Sequence, residues 1–156
     1  MGIDFFLLKK RNIKFHLWDL AGAARFSFIR KAYYKQASSA VYVLDATKDV
    51  EENKRIFQEF NREIKSEIFI PNACQLIVFN KSDAENSKLS QDYINEFAIF
   101  NVPYVICSAK TNEGVAEIKD TNFNYVSGLV STKEAEEELL LSEIEKYSKC
   151  LRKKHT

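Results

Sequence analysis

The runs KFHLWD (14–19), AVYVLDA (40–46), QLIVFN (75–80) and VPYVICSAK (102–110) constrain the fold more than anything else in the chain. Each carries a short apolar stretch rich in β-branched and aromatic residues and closes on polar ones, as buried strands do when they deliver functional groups to a rim. Segments with helical spacing separate them. Residues 25–36 place Phe26, Ile29 and Tyr33 on one face. Asp49 and Glu52 have capping-box spacing ahead of Ile56, Phe57, Phe60 and Ile64 in a helix running to about Lys65. Ser90 is positioned to cap a helix carrying Tyr93, Ile94, Phe97 and Phe100.

Strands alternating with helices predict an α/β fold with a mostly parallel sheet covered on both faces. Ile3–Leu8 and Ile13–Trp18, joined by Lys9-Lys10-Arg11-Asn12, predict an antiparallel hairpin at one side of that sheet. Residues 119–128 hold poor helix formers and a glycine and are expected to be irregular. Ser131 with Glu134 and the stripe Leu140, Ile144, Tyr147 and Leu151 predict a C-terminal helix over about 132–152. No linker or repeat divides the 156 residues, so a single domain is expected.

Charge excludes some functions. With 23 basic and 22 acidic residues the net charge is +1, too little to draw nucleic acid by its field. Cys74, Cys107 and Cys150 show no CxxC spacing, and two of them sit in apolar runs. They are expected to be reduced, in a cytoplasmic protein. No apolar run approaches the length of a membrane span, and the N-terminal IDFFLL is too short for a signal-peptide core.

In parallel sheets ligands bind beyond the carboxyl ends of the strands. Here those ends carry Asp19, Asp45, the run Asn80-Lys81-Ser82-Asp83, and Ser108-Ala109-Lys110. A carboxylate at Asp83 can accept the paired N–H donors of guanine, which adenine lacks. A backbone N–H near Ala109 can face a purine carbonyl. Asp19 can hold a magnesium-bound water, and the Gly22 N–H can approach a phosphate without an intervening Cβ. Each pattern alone also fits an ordinary strand-end turn.

In this order, the patterns resemble those of the small GTPases of the Ras superfamily, the Rab branch in particular. WDLAGAARF (18–26) is similar to that family's Trp-Asp-Thr-Ala-Gly-Gln-Glu-Arg-Phe, YYKQA (33–37) to its Tyr-Tyr-Arg-Gly-Ala, and LDAT (44–47) to its Tyr-Asp-Val-Thr. NKSD and CSAK are similar to its guanine-reading NKxD and SAK motifs, and Gly2-Ile3-Asp4-Phe5 to the end of switch I. The resemblance runs from residue 2 to about Ile118. It implies a P-loop-NTPase-like three-layer sandwich that binds GTP or GDP with Mg2+ as a switch in membrane trafficking. Asn80 and Asp83 would contact guanine, the Lys81 stem would pack on base or sugar, and Ala109 would offer its N–H, with Ser108 and Lys110 shaping the loop. Gly22 would lie near the γ-phosphate and Asp19 near magnesium. Protein partners would meet the switch-like region 2–36.

Three departures from that family touch the phosphates. No GxxxxGK[ST] occurs in the 156 residues, and the switch I threonine would fall before Met1. Ala23 and Ala24 stand where the family has Gln and Glu, and a methyl group cannot orient an attacking water. Slow hydrolysis and weak phosphate binding are therefore expected. The alternative is a nucleotide-free pseudo-GTPase acting as a structural or protein-binding subunit of a larger assembly. Such a chain also lacks the strand that lies mid-sheet in the family. Three ways to fill that gap are a longer chain, a strand from another chain, or re-pairing of the sheet. Cys150 followed by LRKKHT is not a CaaX box, and Phe6 breaks the myristoylation pattern after Gly2, so no lipid anchor is expected.

The aromatic residues Phe26, Phe28, Tyr33 and Tyr34 are expected in a surface-facing region, with Phe26 and Tyr33 packing under it.

Overall fold

The computed structural model describes residues 2–10, 13–35, 37–66, 74–130 and 148–152. The strands are β1 (Ile3–Lys10), β2 (Ile13–Ala21), β3 (Ser39–Asp45), β4 (Cys74–Asn80), β5 (Tyr104–Ile106) and β6 (Ser148–Arg152), and the helices are α1 (Ser27–Tyr34), α2 (Val50–Lys65), α3 (Gln91–Asn95) and α4 (Val115–Val130). They form one six-stranded sheet in the order β1-β2-β6-β3-β4-β5. Only the β1–β2 hairpin is antiparallel, and every other neighbouring pair is parallel.

The alternation of β3 and β4 explains the layers, because successive side chains point to opposite faces. Ala40, Tyr42, Leu44, Ile77 and Phe79 pack with Ile56, Phe57, Phe60 and Ile64 of α2, Tyr93 and Ile94 of α3, and Tyr34 of α1. Val41, Leu76 and Val78 pack on the other face with Val105, Cys107 and, from α4, Ile118. Burying both faces accounts for the unbroken apolar character of these strands. Ser90 caps α3 as expected, its hydroxyl accepting the Tyr93 N–H at 3.1 Å.

The capping box at Asp49 does not form. Asp49 occupies the N-cap of α2 without a side-chain cap bond, and its carboxylate takes Lys88 while Glu52 pairs with Lys48 at 3.5 Å. Both carboxylates instead lie against ammonium groups, Asp49 beside Lys88 and Glu52 beside Lys48. The stretch 119–128, expected to be irregular, lies within α4. Burial against the sheet overrides weak propensity there. Phe123 is buried beside Phe15, and Asn122 donates to the Ile118 carbonyl at 2.9 Å while accepting the Ser39 hydroxyl.

The end of the expected C-terminal helix also differs. Residues 148–152 form β6, and the rest of that segment, Ser131, Glu134, Leu140, Ile144 and Tyr147 included, lies outside the described residues. β6 fills the slot between β2 and β3, with Asp19 opposite Cys150 and Cys150 opposite Val41. In this structure the chain's own residues 148–152 occupy that slot. The physical reason is that two interior edges of unpaired N–H and C=O groups demand a partner, and a strand satisfies both edges where a helix satisfies neither.

A short 3-10 turn, Ala24–Phe26, leads into α1. The expected inner face of Phe26, Ile29 and Tyr33 is rotated. Arg30 and Tyr34 are the buried residues of α1, Ile29 is exposed, and Phe26 and Tyr33 are half-buried. Tyr34 is thus a core residue and not part of the surface-facing group, whereas Phe28 is 86% exposed.

Candidate functional site at the carboxyl edge of the sheet

The loops after β4 and β5 are bound to each other by the residues the sequence singles out. Asn80, the last residue of β4, accepts the Ala109 N–H on its Oδ1 at 2.9 Å and lies 3.6 Å from the Cys107 thiol. Asp83 accepts the Ser108 hydroxyl at 2.5 Å and stands 3.7 Å from the Lys110 ammonium. Ser108 in turn accepts the Thr111 N–H at 3.0 Å, and Ser82 donates its N–H to the Cys107 carbonyl at 3.1 Å. The hydrogen bond from Ser108 is the largest influence holding Asp83 below the usual carboxylate range, so Asp83 is an anion at neutral pH.

Lys81 occupies the left-handed region with φ 71°, a conformation uncommon for a residue bearing a Cβ. Its ammonium donates to Asp45 Oδ2 at 2.8 Å, across from β4 to the end of β3. Thr47 completes that corner, donating its N–H at 3.0 Å and its hydroxyl at 2.8 Å to Asp45 Oδ1. Burial works to raise the Asp45 pKa, but the bonds from Lys81 and Thr47 prevail and hold it at about 2. Sequence reading placed Asp45 at the rim without a role. The Asp-x-Thr spacing was the available signal, because a strand-end Asp commonly gathers donors two residues on.

Gly114 shapes the second loop from behind. Its φ is +70°, and a Cβ there would sit 2.3 Å from the Ile106 carbonyl oxygen, so glycine alone fits where the chain turns from the Ser108–Glu113 bridge into α4.

Asn80, Asp83, Ser108, Ala109 and Lys110 are therefore bonded across the two loops, while Lys81 between them turns its ammonium to Asp45. With Oδ1 engaged by Ala109, the Asn80 amide nitrogen is the group available to donate to a purine ring nitrogen, and the Asp83 carboxylate can accept paired N–H donors. The Ala109 N–H, expected to face a base carbonyl, already donates to Asn80 and would have to be shared. This half of the site fits guanine.

Asp19 and Gly22 lie at the end of β2, separated from β3 by β6. Gly22 is flanked by two carbonyls, those of Ala21 and Ala23, that both accept Nη1 of Arg30, at 3.0 and 2.8 Å. Among the described residues no group of three or more carboxylate, histidine or cysteine side chains could hold a metal ion. The described donors and acceptors thus suit the base of a guanine nucleotide, while Asp19 and Gly22 stand apart from them beyond β6.

On the face of β1 and β2 turned toward α1, an aromatic row connects the hairpin to that helix. Phe5 packs on Trp18 with ring centroids 4.8 Å apart, and Trp18 packs on Tyr33 at 4.7 Å. Phe5 is about half exposed, as is Leu7 two residues on along the same face of β1.

Comparison with known proteins places these features in a family. The Ras family profile matches residues 3–127. The Ras-related protein SEC4 of Candida albicans is 33% identical over 147 residues, covering 89% of this chain and 66% of that protein. The GTP-binding protein ypt1 of Schizosaccharomyces pombe is 32% identical over 125 residues, covering 75% and 59%. For the Ras-related protein Rab-30 of Homo sapiens the values are 32% over 125 residues, covering 76% and 60%. The chain thus spans between 59% and 66% of the length of these relatives.

Proposed function

Because the chain belongs to the Ras family, as a Rab-like small GTPase, we propose that it is a guanine-recognising switch protein of membrane-trafficking type in which hydrolysis is impaired. The observation that carries the base-reading part is the Asn80–Ala109 bond at 2.9 Å together with the Ser108–Asp83 bond at 2.5 Å, which hold the two loops and their acceptors and donors together at one rim. Asn80, Lys81 and Asp83 contact the base, with Ser108, Ala109 and Lys110 forming its second wall. Gly22 approaches a terminal phosphate, and Asp19 holds magnesium through water. Ala23 presents a methyl group where an amide would orient water, so turnover of bound GTP is slow. The chain acts as a single cytoplasmic domain. Its protein partners meet region 2–36 through the Phe5–Trp18–Tyr33 row, because a rigid aromatic surface costs little conformational entropy to bind.

A second reading, a nucleotide-free pseudo-GTPase serving as a binding subunit, is favoured by one observation. The base-facing groups are satisfied inside the chain: Ala109 N–H by Asn80, Asp83 by Ser108, and Lys81 by Asp45. Calorimetric titration of the purified chain with guanosine and adenosine separates the two. Binding of guanosine without binding of adenosine is the expected result, whereas equal indifference to both bases leaves only the second reading.

A further inference from the structure

Arg30 is 1% exposed, and its side chain ties three elements together. Its Nε donates to Glu63 Oε1 at 3.0 Å and its Nη2 to Glu63 Oε2 at 2.8 Å, a two-point fork onto α2. Nη1 donates to the carbonyls of Ala21 and Ala23 at 3.0 and 2.8 Å, on either side of Gly22. The guanidinium also lies over the Phe60 ring, 4.9 Å from its centroid. A buried charge is tolerated only when paired and surrounded by acceptors, and here both conditions are met. Lysine could not substitute, because the arrangement needs planar donors aimed in two directions.

In GTPases generally the loop after this strand takes its order from the γ-phosphate and magnesium and loses it on hydrolysis. We propose that in this chain Arg30 and Glu63 replace the phosphate in that role: a side-chain clamp holds loop 21–23 and α1 on α2 in one conformation with no ligand bound. Both carbonyls that bracket Gly22 are held from inside the core. Through α1 the clamp also sets Tyr33 against Trp18, so the aromatic row is presented constitutively. Arg30 is thus a positioning residue for the loop, and the inference stands whether or not guanine binds.

Amide hydrogen exchange on the ligand-free, 156-residue chain tests this. The reporters are the Ala21 N–H, bonded to the Gly2 carbonyl at 2.8 Å, and the Phe26 N–H, bonded to the Ala23 carbonyl at 3.0 Å. In the wild type both should exchange slowly without nucleotide. Unprotected exchange at these two amides in the wild type would overturn the proposal before any variant is made. In Arg30→Met both should exchange about a hundredfold faster while the amides of Leu44, Ile77 and Val78 in the central strands keep their rates, the signature of local release as opposed to global loosening. Should Arg30→Met not fold, the apolar pair Arg30→Met with Glu63→Leu preserves packing without the clamp, and Glu63→Gln removes the carboxylate alone. Unchanged Ala21 and Phe26 rates in the folded variants, or an equal acceleration at the central strands, would also overturn it. Emission of Trp18, the single tryptophan, provides an independent signal, shifting in the variants as Tyr33 loses its fixed place.

Discussion

Lys81 reaches from the loop after β4 to place its ammonium 2.8 Å from the carboxylate of Asp45 at the end of β3. The contact joins two neighbouring parallel strands at the rim where the base-reading residues gather, and it locks a lysine whose backbone is in the left-handed region. The pair is asymmetric, with Asp45 7% exposed and the Lys81 side chain 44% exposed, so water screens one partner and not the other.

A pH dependence follows from that asymmetry. The folded Asp45 pKa of about 2 lies below its ordinary value of 3.8, so the unfolded chain binds the proton more readily. The stabilisation is complete above the ordinary value and is lost as pH falls through about 2. Asp45→Asn should cost about 1–2 kcal/mol at neutral pH after allowance for screening at Lys81. Urea titrations of wild type and variant should converge as the solution is acidified, and a gap that persists in acid would place the effect elsewhere.

Base choice should depend on Asp83. Asp83→Asn replaces an acceptor pair with one acceptor and one donor, which suits a purine bearing a carbonyl in place of the exocyclic amine. Guanosine binding should weaken about a hundredfold and xanthosine binding should improve, as read by competition calorimetry. An unaltered preference would remove Asp83 from the base site.

Phosphates should add little. Each charge-assisted contact contributes about 1.5–3 kcal/mol, and no GxxxxGK[ST] run occurs in the 156 residues to make several of them. The 156-residue chain should therefore bind GTP within about tenfold of guanosine. GTP binding a thousandfold tighter would mean that other groups of the chain reach the phosphates.

Gly114→Ala should destabilise the protein by about 3 kcal/mol, because it combines a left-handed backbone with a Cβ 2.3 Å from the Ile106 oxygen. Chemical denaturation measures the loss. Since Gly114 stands behind the Ser108 loop, any guanosine affinity should fall in the same variant.

Ser90→Ala should cost about 1 kcal/mol through the lost Tyr93 N–H cap, and Ser90→Thr should recover most of it. Thermal unfolding of the three proteins provides the comparison.

Much of the site is legible before any coordinates. NKSD ends a buried strand and CSAK follows the edge strand β5, and parallel strands bring such ends to one rim, so the approach of Asn80 to Ala109 follows from strand order. The clamp at Arg30 is not legible in that way. An arginine in RFSFIRKAYY looks like a solvated helix residue beside two lysine-rich turns, and its partner Glu63 looks like one carboxylate among several on α2. Only the crossing of α1 over α2 removes both from water together. Tyr34 was misplaced for the same reason, since helical spacing fixes which residues share a face but not which face turns inward.

Local pattern was enough for β1 to β5, for the helices α1 and α2, and for the residues at the carboxyl rim, because period and capping act over a few neighbouring residues, whereas the helix expected to carry Phe97 and Phe100 stops at Asn95 and Phe100 falls in a 3-10 turn, Ala98–Phe100. The state of 119–128 and 148–152 was settled by long-range burial and pairing. α4 forms because Phe123 and Ile118 cover the sheet, and β6 forms because β2 and β3 each present an edge that must be satisfied. Segments of weak intrinsic preference take whatever conformation the rest of the fold leaves for them, and that information resides in the assembled sheet.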